Sequence, residues 1–308
     1  MINRVIIRLK VLQLIYAYYM NGNKNVEKAE TTLLESLSKA YELYQQMLLL
    51  VVAVTNMENE LVDEQEQLNR VTHRHAKVSH RFADNRLAQR LAGNGQLMDF
   101  REHQGMMWTE ERGYVTALLQ DIKQTDFYKE YELADKVDFS DDRELWRKIY
   151  KNIIMQDERI DGILEERSLY WNDDRETVDT FVLKTIKRFE ESGGDKDVLL
   201  PEFKDSEDRD FAIRLLRHTI MNDEEYRSLI SQSVQNWEME RMAFMDILII
   251  QMAIAEILCF PQIPLSVSIN EYVEIAKLYS TPKSYGYVNG LLDHISKRLI
   301  QEGKLLKH

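Results

Sequence analysis

The chain has little cysteine, and it has no proline before residue 201. Cys259 is the single cysteine of 308 residues, so no internal disulfide can form, and a reducing cytoplasm is the expected location. A long stretch without proline permits long helices. Strand signals are scarce too, because Asn94-Gly95 lies in polar sequence of helical character and not between alternating apolar runs. We therefore predict an all-α fold.

Long apolar runs and the signatures of common enzymes are also absent. The longest purely apolar run, Met47 to Val54, is too short to cross a membrane, because a spanning helix needs about 20 residues. The sequence contains no glycine-rich phosphate loop, no CxxC, no HExxH and no nucleophile elbow. We therefore expect no catalytic residues, no cofactor and no membrane segment.

A cluster of histidines is the nearest approach to a metal site. His73, His75 and His80 lie close together in the sequence. The neighbouring Arg74 and Lys77 would repel a metal ion, and no thiol or carboxylate completes a set of ligands. We interpret the cluster as solvated surface and expect no bound metal.

Acidic residues outnumber basic ones, 52 to 40, and give a formal net charge of −12. Such a body repels phosphates, which argues against a general nucleic-acid coat. Residues 1–28 nevertheless carry five lysines and arginines and one acid. Any RNA contact is therefore expected on a local patch.

The spacing of apolar residues predicts the first helices. Val5, Leu9, Leu12 and Tyr16 recur at helical intervals and are expected to form the buried stripe of a helix over residues 3–20. A second long amphipathic pattern covers residues 26–61. We therefore expect two long helices at the start of the chain.

The remaining chain divides by composition. Residues 62–110 are polar with scattered glycines, which indicates a mobile linker or a weakly packed excursion. Helical patterns resume at about residue 110 and continue to near 189. Residues 242–258 are apolar on nearly all sides, as is typical of a helix at the centre of a bundle.

An internal repeat recurs at an offset of 66 residues. It indicates either a duplicated helix-turn-helix unit or two amphipathic helix pairs that share a period. The matching pairs are Asp142-Arg143 with Asp208-Arg209, Ile154-Met155 with Ile220-Met221, Asp157-Glu158 with Asp223-Glu224, Trp171 with Trp237, and Arg175 with Arg241.

The last sixty residues carry the most specific pattern. Ser268 and Glu271 have the spacing of a capping box, so a helix is predicted to begin at Ser268. Pro282 has the position of a first helical residue in the last helix. Gly290 lowers helix propensity and predicts close packing against another helix.

Polar residues at the start of that last helix are less easily explained by packing. Lys283, Ser284 and Asn289 lie close to Tyr287 in the sequence. Helix N-termini suit phosphate oxygens, and an aromatic ring can stack on an unpaired base. An ordinary helix cap with surface polar residues is the alternative.

The two ends of the chain together resemble the NusB family of bacterial transcription antitermination factors. Near the N-terminus, Arg8, Gln13 and Tyr16 match the family's arginine-then-hydrophobic-Gln-x-x-Tyr pattern, and Arg4 matches an earlier arginine. The arginines that typical members carry between those two positions are replaced here by apolar residues. The C-terminal match runs through Ser268-Ile-Asn-Glu271, Ala276-Lys277, Lys283-Ser284 and Tyr287-Val-Asn289-Gly290-Leu-Leu-Asp293.

The resemblance implies a NusB-like helical bundle and a non-catalytic function. Such proteins bind boxA-type RNA of ribosomal RNA leaders together with a small-subunit ribosomal protein that acts as NusE, within the RNA polymerase antitermination complex. On this basis, and with both chain ends assumed to lie side by side, the predicted RNA-binding residues are Arg4, Arg8, Lys10, Lys283, Ser284, Tyr287 and Asn289. Replacing Arg8 and Lys10 with alanine is then expected to weaken RNA binding and leave the fold intact.

The resemblance also implies a division of the chain. Residues 1–30 would supply the first helix of the NusB-like core, residues 201–308 the rest of it, and residues 31–200 an additional helical region. That region could be a docking surface, a homodimerisation element or a brace.

Two other functions stay open. A protein–protein scaffold that has the fold and little RNA binding would suit the negative charge. An enzyme is the other, because NusB-like domains also precede ribosomal RNA methyltransferase domains, but the sequence ends at His308, soon after the motif.

Overall fold

The computed structural model describes residues 1–22, 24–73, 75–171, 173–193, 197–234 and 242–305. These residues form helices joined by short connections, with one isolated parallel bridge between Ile2 and Phe203. The predicted all-α class is confirmed. In the described part of the chain, no helix is long and apolar enough to cross a bilayer.

The described residues contain fourteen α-helices. Their bounds are α1 Arg4–Met20, α2 Val26–Val71, α3 Arg86–Ala92, α4 Gly95–Gln104, α5 Arg112–Gln124, α6 Asp126–Leu133, α7 Phe139–Asn152, α8 Arg159–Arg167, α9 Arg175–Arg188, α10 Ser206–Met221, α11 Asp223–Ser233, α12 Phe244–Cys259, α13 Leu265–Tyr279 and α14 Ser284–Gln301.

The chain forms two compact units. Unit 1 comprises Met1 and residues 39–202, and unit 2 comprises residues 2–38 and 203–308. Helix α2 contributes its first part to unit 2 and the remainder to unit 1. Unit 2 therefore contains the first helix of the chain and the last five of the described helices.

Helix α12 is the centre of unit 2. Every residue from Asp246 to Ile257 is buried, and α1, α10, α11, α13 and α14 all contact it. A helix that is apolar on every side needs neighbours on every side. The predicted central helix is confirmed.

The buried side of α1 differs from the predicted stripe. Leu9 and Leu12 are buried, whereas Val5 and Tyr16 are each about 40% exposed. Ile7 and Ile15 are buried instead. Nearly every position of this helix is apolar, so several overlapping stripes fit the helical period equally well.

Helix α13 begins three residues earlier than the capping-box spacing predicts. It starts at Leu265 directly after Pro264, and Ser268 lies inside it. The Ser268 hydroxyl donates to Glu256 on α12 and caps nothing. The predicted capping box is therefore wrong, because Pro264 begins the helix with its fixed φ and its missing N–H group. Helix α14 likewise begins at Ser284 and not at Pro282.

Gly290 on α14 is exposed, and a Cβ built there would meet no atom within 4 Å. The predicted close helix contact is wrong. Since this glycine only weakens a solvent-facing helix, Gly290→Ala should raise the free energy of unfolding by about 0.5–1 kcal/mol. Urea denaturation followed by far-UV circular dichroism measures the change, and a destabilised variant would contradict the open environment.

The core of unit 1 is rich in aromatic residues. The Phe82 ring lies 5.4 Å from the ring of Trp146 and 5.4 Å from that of Tyr128. The indole N–H of Trp108 donates to the carbonyl oxygen of Gln46 on α2. These contacts fasten the middle of the additional region to the long helix.

The segment predicted as a mobile linker, residues 62–110, is largely helical. It contains the end of α2 and all of α3 and α4. Leu87, Leu91, Leu97 and Phe100 are buried. These short helices carry few apolar residues each, so their periodicity is weak although they contribute to the core.

The internal repeat corresponds to one helix pair in each unit. Asp142 lies in the first turn of α7 and Asp208 in the first turn of α10, and both side chains are buried. Each of these helices is followed by a shorter one, α8 or α11. The matched residues Trp237 and Arg241 lie outside the described residues.

The two buried aspartates have equivalent partners. Asp208 is paired with Arg4 of α1 at 3.4 Å, and Asp142 with Arg86 of α3 at 2.8 Å. Each arginine follows the N-cap asparagine of its helix, which accepts from the N–H three residues along. Both units therefore contain the same arrangement, in which an arginine that follows an N-cap asparagine pairs with a buried aspartate in the first turn of another helix.

Candidate nucleic-acid interface

A cavity of about 400 Å³ opens at the N-terminus of α14 in unit 2. Three of the predicted RNA-binding residues, Lys283, Ser284 and Tyr287, line it. Its other lining residues are Met242, Ala243, Asp246 and Thr281.

Asp246 fixes the start of α14 against α12. It lies in the first turn of α12 and is only 5% exposed. Its carboxylate accepts from the hydroxyls of Ser280 at 2.5 Å and Ser284 at 2.8 Å. A carboxylate at this place also has a favourable interaction with the helix dipole. Ser284 is thus buried and positions the helix end.

Lys283 and Tyr287 remain accessible at the cavity. Lys283 is the exposed N-cap residue of α14. Tyr287 is about one-third exposed, and its hydroxyl lies 3.6 Å from the sulfur of Met242. The ammonium group of Lys283 and the ring of Tyr287 therefore lie at the same opening. The N–H groups in the first turn of α14 lie beside them and have no acceptor within the helix.

Asn289 is exposed on α14 but does not line the cavity. Two residues along a helix correspond to a rotation of about 200°, so Asn289 faces a different side from Tyr287. The structure does not bring these two predicted residues together.

The predicted N-terminal cations are largely engaged inside unit 2. Arg8 is 3% exposed and Lys10 is 1% exposed. Arg8 donates to both carboxylate oxygens of Glu256, at 2.7 and 2.9 Å, and to Glu271 at 2.8 Å. Burial opposes the charge of Arg8, but hydrogen bonds and attraction from Glu256 outweigh it and raise the pKa of Arg8.

Arg4 is partly exposed at the N-terminus of α1. Its side chain is 31% accessible and pairs with Asp208, and its guanidinium lies 5.1 Å from the centre of the Phe211 ring. It is the one predicted N-terminal cation that keeps a solvent-facing surface in the described structure.

The two groups of predicted residues lie at opposite ends of α12. Arg8 contacts Glu256 near the end of the helix, whereas Ser284 contacts Asp246 in its first turn. Ten residues of α-helix span about 15 Å. Because α1 and α12 run antiparallel, α1 packs against the C-terminal helices with Arg8 at the opposite end of α12 from Ser284.

The other end of α1 approaches the cavity instead. The rings of Tyr16 and Tyr19 lie 6.0 and 6.2 Å from that of Phe244, the first residue of α12. Sequence reasoning also missed Asp246 as the residue that holds Ser284. An aspartate in a helix whose other polar residues are only Gln251 and Glu256 was the available signal.

Comparison with known proteins gives one consistent result. A family model described as NusB family matches residues 183–297. A transcription antitermination protein NusB of Salinibacter ruber is 39% identical over 132 residues, which cover 41% of this chain and 82% of that protein.

Two further relatives bear the same name. The protein of Koribacter versatilis is 42% identical over 105 residues, covering 33% of this chain and 72% of the relative. The protein of Chloroherpeton thalassium is 39% identical over 111 residues, which cover 35% of this chain and 53% of the relative. No solved structure matches the chain. The extent of the match to the Salinibacter ruber protein shows that this chain belongs to the NusB family.

Proposed function

We propose that this chain is a non-catalytic transcription antitermination factor that binds boxA-type RNA of ribosomal RNA leaders. It acts together with a small-subunit ribosomal protein in the role of NusE, within the RNA polymerase antitermination complex. Membership of the NusB family supports the process. The accessible pair of Lys283 and Tyr287 at the α14 cavity is the observation that supports RNA as a ligand.

The chemistry of the cavity suits a single-stranded segment. Lys283 supplies a positive charge to a phosphate, and the N–H groups of the first turn of α14 add donors to the same anion. Tyr287 offers a ring on which an unpaired base can stack. Asp246 and Ser284 hold this end of α14 in place, so the two RNA-contacting side chains are presented by a fixed helix.

The proposal assigns the NusB-like core to unit 2. Residues 2–38 and 203–308 pack around α12 as one compact body, and both ends of the sequence that resemble the family lie in it. Unit 1 is then the additional region, with starting and ending residues slightly different from the sequence-based division at 30 and 200.

A protein–protein scaffold remains the second candidate. The burial of Arg8 and Lys10 removes two cations from the predicted RNA face, and the net charge of −12 opposes phosphate binding elsewhere. In that case the ribosomal protein would bind without RNA.

Fluorescence anisotropy with a boxA-containing leader RNA tests the proposal. Tyr287→Ala should weaken binding roughly 5- to 100-fold, because a base–aromatic stack is worth about 1–3 kcal/mol. Lys283→Gln should weaken binding and lower the salt dependence by about 0.7 of a log unit per log unit of salt. The titrations are run with and without the ribosomal protein.

Tyr285→Ala is the matched control, since Tyr285 is an exposed tyrosine of the same helix outside the cavity. Equal affinities of the Tyr285 and Tyr287 variants would exclude the cavity as the RNA site. Binding of the ribosomal protein without any RNA binding would establish the scaffold instead.

A further inference from the structure

A second concentration of positive charge lies in unit 1. Residues 70–81, here called the basic segment, contain four lysines and arginines, three histidines and no acid. The full chain has 52 acids against 40 basic residues, so this composition stands apart from its surroundings. The segment runs from the end of α2 towards the start of α3.

Most side chains in the described part of the basic segment, residues 70–73 and 75–81, face solvent. The side chains of His73, His75 and Lys77 are exposed and make no hydrogen bond or ion pair with other described residues, whereas His80 pairs with Glu66 at 2.8 Å. Arg70 is 76% accessible and has one surface pair with Glu66 at 3.1 Å. A surface ion pair of this kind is worth little, so Arg70 can exchange Glu66 for another anion.

The backbone of the segment is held at several points. The amide of Asn69 donates to the carbonyl oxygen of Ala76 at 2.9 Å. The Ser79 hydroxyl donates to Glu132 at 2.5 Å. Arg81 donates to the carbonyl oxygens of Tyr131 and Glu132, at 2.7 and 3.0 Å, where α6 ends. These bonds tie both ends of the segment to neighbouring helices, so that ordering it on binding would cost little entropy.

We infer that Arg70 and Lys77 of the basic segment form a second RNA-contacting surface, which binds the phosphate backbone without reading sequence. Both cations are exposed, so they can contact successive phosphates of a polynucleotide. No phenylalanine, tyrosine or tryptophan occurs between residues 70 and 81, so charge and not stacking on these large rings is expected to dominate there. The inference goes beyond the proposed function, because the segment belongs to unit 1 and does not use the α14 cavity.

An anionic membrane is the competing partner for such a surface. Leu68 just before the segment and Val71 within it are exposed, but two apolar side chains fall short of the apolar face that membrane-surface helices bury. RNA is the favoured partner because binding its phosphates requires only exposed cations and no apolar face. Vesicles therefore form one arm of the test.

The test uses the full chain with Arg70→Gln and Lys77→Gln combined. Anisotropy is measured at several salt concentrations with a boxA leader RNA and with an unrelated single-stranded RNA of equal length. Loss of two phosphate contacts should lower the salt slope by about 1.4 and weaken binding at 0.1 M salt by roughly 25-fold. The reduction should be the same for both RNAs.

Lys184→Gln with Lys187→Gln is the matched control, because both lysines are exposed on α9 in the same unit and the net charge changes equally. If this control and the Arg70/Lys77 variant bind RNA alike, the inference is overturned. Loss of binding to anionic phospholipid vesicles, with RNA binding unaltered, would also overturn it and assign the segment to membranes.

A Tyr287→Ala background separates the two proposals. The basic-segment variant should lose the same factor in that background as in the natural chain, because the two sites contribute independently. If Tyr287→Ala has no effect while the basic-segment variant does, the α14 site fails and the second surface stands.

Discussion

Arg8→Ala should lower the free energy of unfolding by about 3–5 kcal/mol, the usual result of removing one partner from a buried ion pair. Arg8 is 3% exposed, and its bonds to Glu256 and Glu271 connect α1 to α12 and α13. Without the guanidinium, Glu256 is left as a fully buried carboxylate that accepts from the neutral hydroxyls of Ser268 and Tyr272 and has lost both bonds from Arg8. Thermal melting followed by far-UV circular dichroism would show a reduced Tm for unit 2.

Arg4→Ala is the control for that experiment. Arg4 belongs to the same helix, but its contact with Asp208 is longer, at 3.4 Å, and its side chain is partly exposed. Its loss should cost less than about 1 kcal/mol. If Arg8→Ala and Arg4→Ala melt at the same temperature, the buried network does not stabilise unit 2 as its geometry indicates.

Arg8→Lys distinguishes charge from geometry. Lysine keeps the positive charge but cannot donate two parallel bonds to Glu256 while reaching Glu271. An intermediate loss of stability is therefore expected. The same reasoning changes how RNA binding should be tested, since replacing Arg8 and Lys10 would perturb the fold and could not isolate an RNA contact.

The sequence predicted the features of unit 2 that depend on a single helix. Helix α12 was identifiable because no side of it is polar, and such a pattern has one structural solution. The stripe of α1 was only half right, because Val5 and Tyr16 fit the helical period yet lie on the solvent side. The spacing of apolar residues predicts that a helix has a buried face. It does not determine which of two adjacent apolar faces is buried.

The predicted site suffered from a different limitation. Arg8 was predicted to contact RNA on the basis of the family resemblance, but it is buried against Glu256, a partner 248 residues away in the sequence. Ser268 similarly had a good local explanation as a cap, and its hydroxyl was instead used by that same glutamate. Lys283 and Tyr287 remained at one cavity because both belong to one short helical turn. Positions of residues close together in one helix were predictable from the sequence. Ion pairs between residues far apart in the sequence were not.

Asp179 provides the second large expected effect, this time in unit 1. Its carboxylate is 2% exposed on α9 and accepts from the Tyr150 hydroxyl at 2.6 Å. Burial raises the pKa of Asp179 to about 6, against the lowering effects of Tyr150 and Arg175, with Asp161 and Glu176 also nearby. The Arg175 guanidinium lies 3.6 Å away and is shared with Asp161.

The direction of the pH effect follows from that raised pKa. A carboxyl with a higher pKa in the folded state than in the unfolded state binds its proton more tightly when folded, so its contribution is lost as the pH rises through about 6. A shift of about two pKa units corresponds to roughly 3 kcal/mol. Between pH 4.5 and 7.5, Asp179 should therefore remove about 2 kcal/mol of stability from unit 1.

Asp179→Asn should stabilise unit 1 by roughly 2–3 kcal/mol at pH 7.5 and by about 1 kcal/mol at pH 4.5. The amide oxygen can still accept from Tyr150, and Arg175 retains Asp161 and the carbonyl oxygen of Ile154. Urea unfolding followed by tryptophan fluorescence reports on this unit, because Trp108, Trp146 and Trp171 all belong to it.

Asp135→Asn supplies the comparison, since Asp135 is an exposed aspartate of the same unit. The Asp135→Asn variant loses the same charge from a solvent-exposed position. Its free energy of unfolding should differ from that of the natural chain by less than about 0.5 kcal/mol at both pH values. A gain for Asp179→Asn that is equal at pH 4.5 and 7.5 would show that the variant acts through packing. A loss at both pH values would show that the ionised carboxylate is satisfied by Tyr150 and Arg175. Only an increase in the free energy of unfolding that is larger at pH 7.5 than at pH 4.5 identifies the ionised carboxylate of Asp179 as a buried charge that destabilises unit 1.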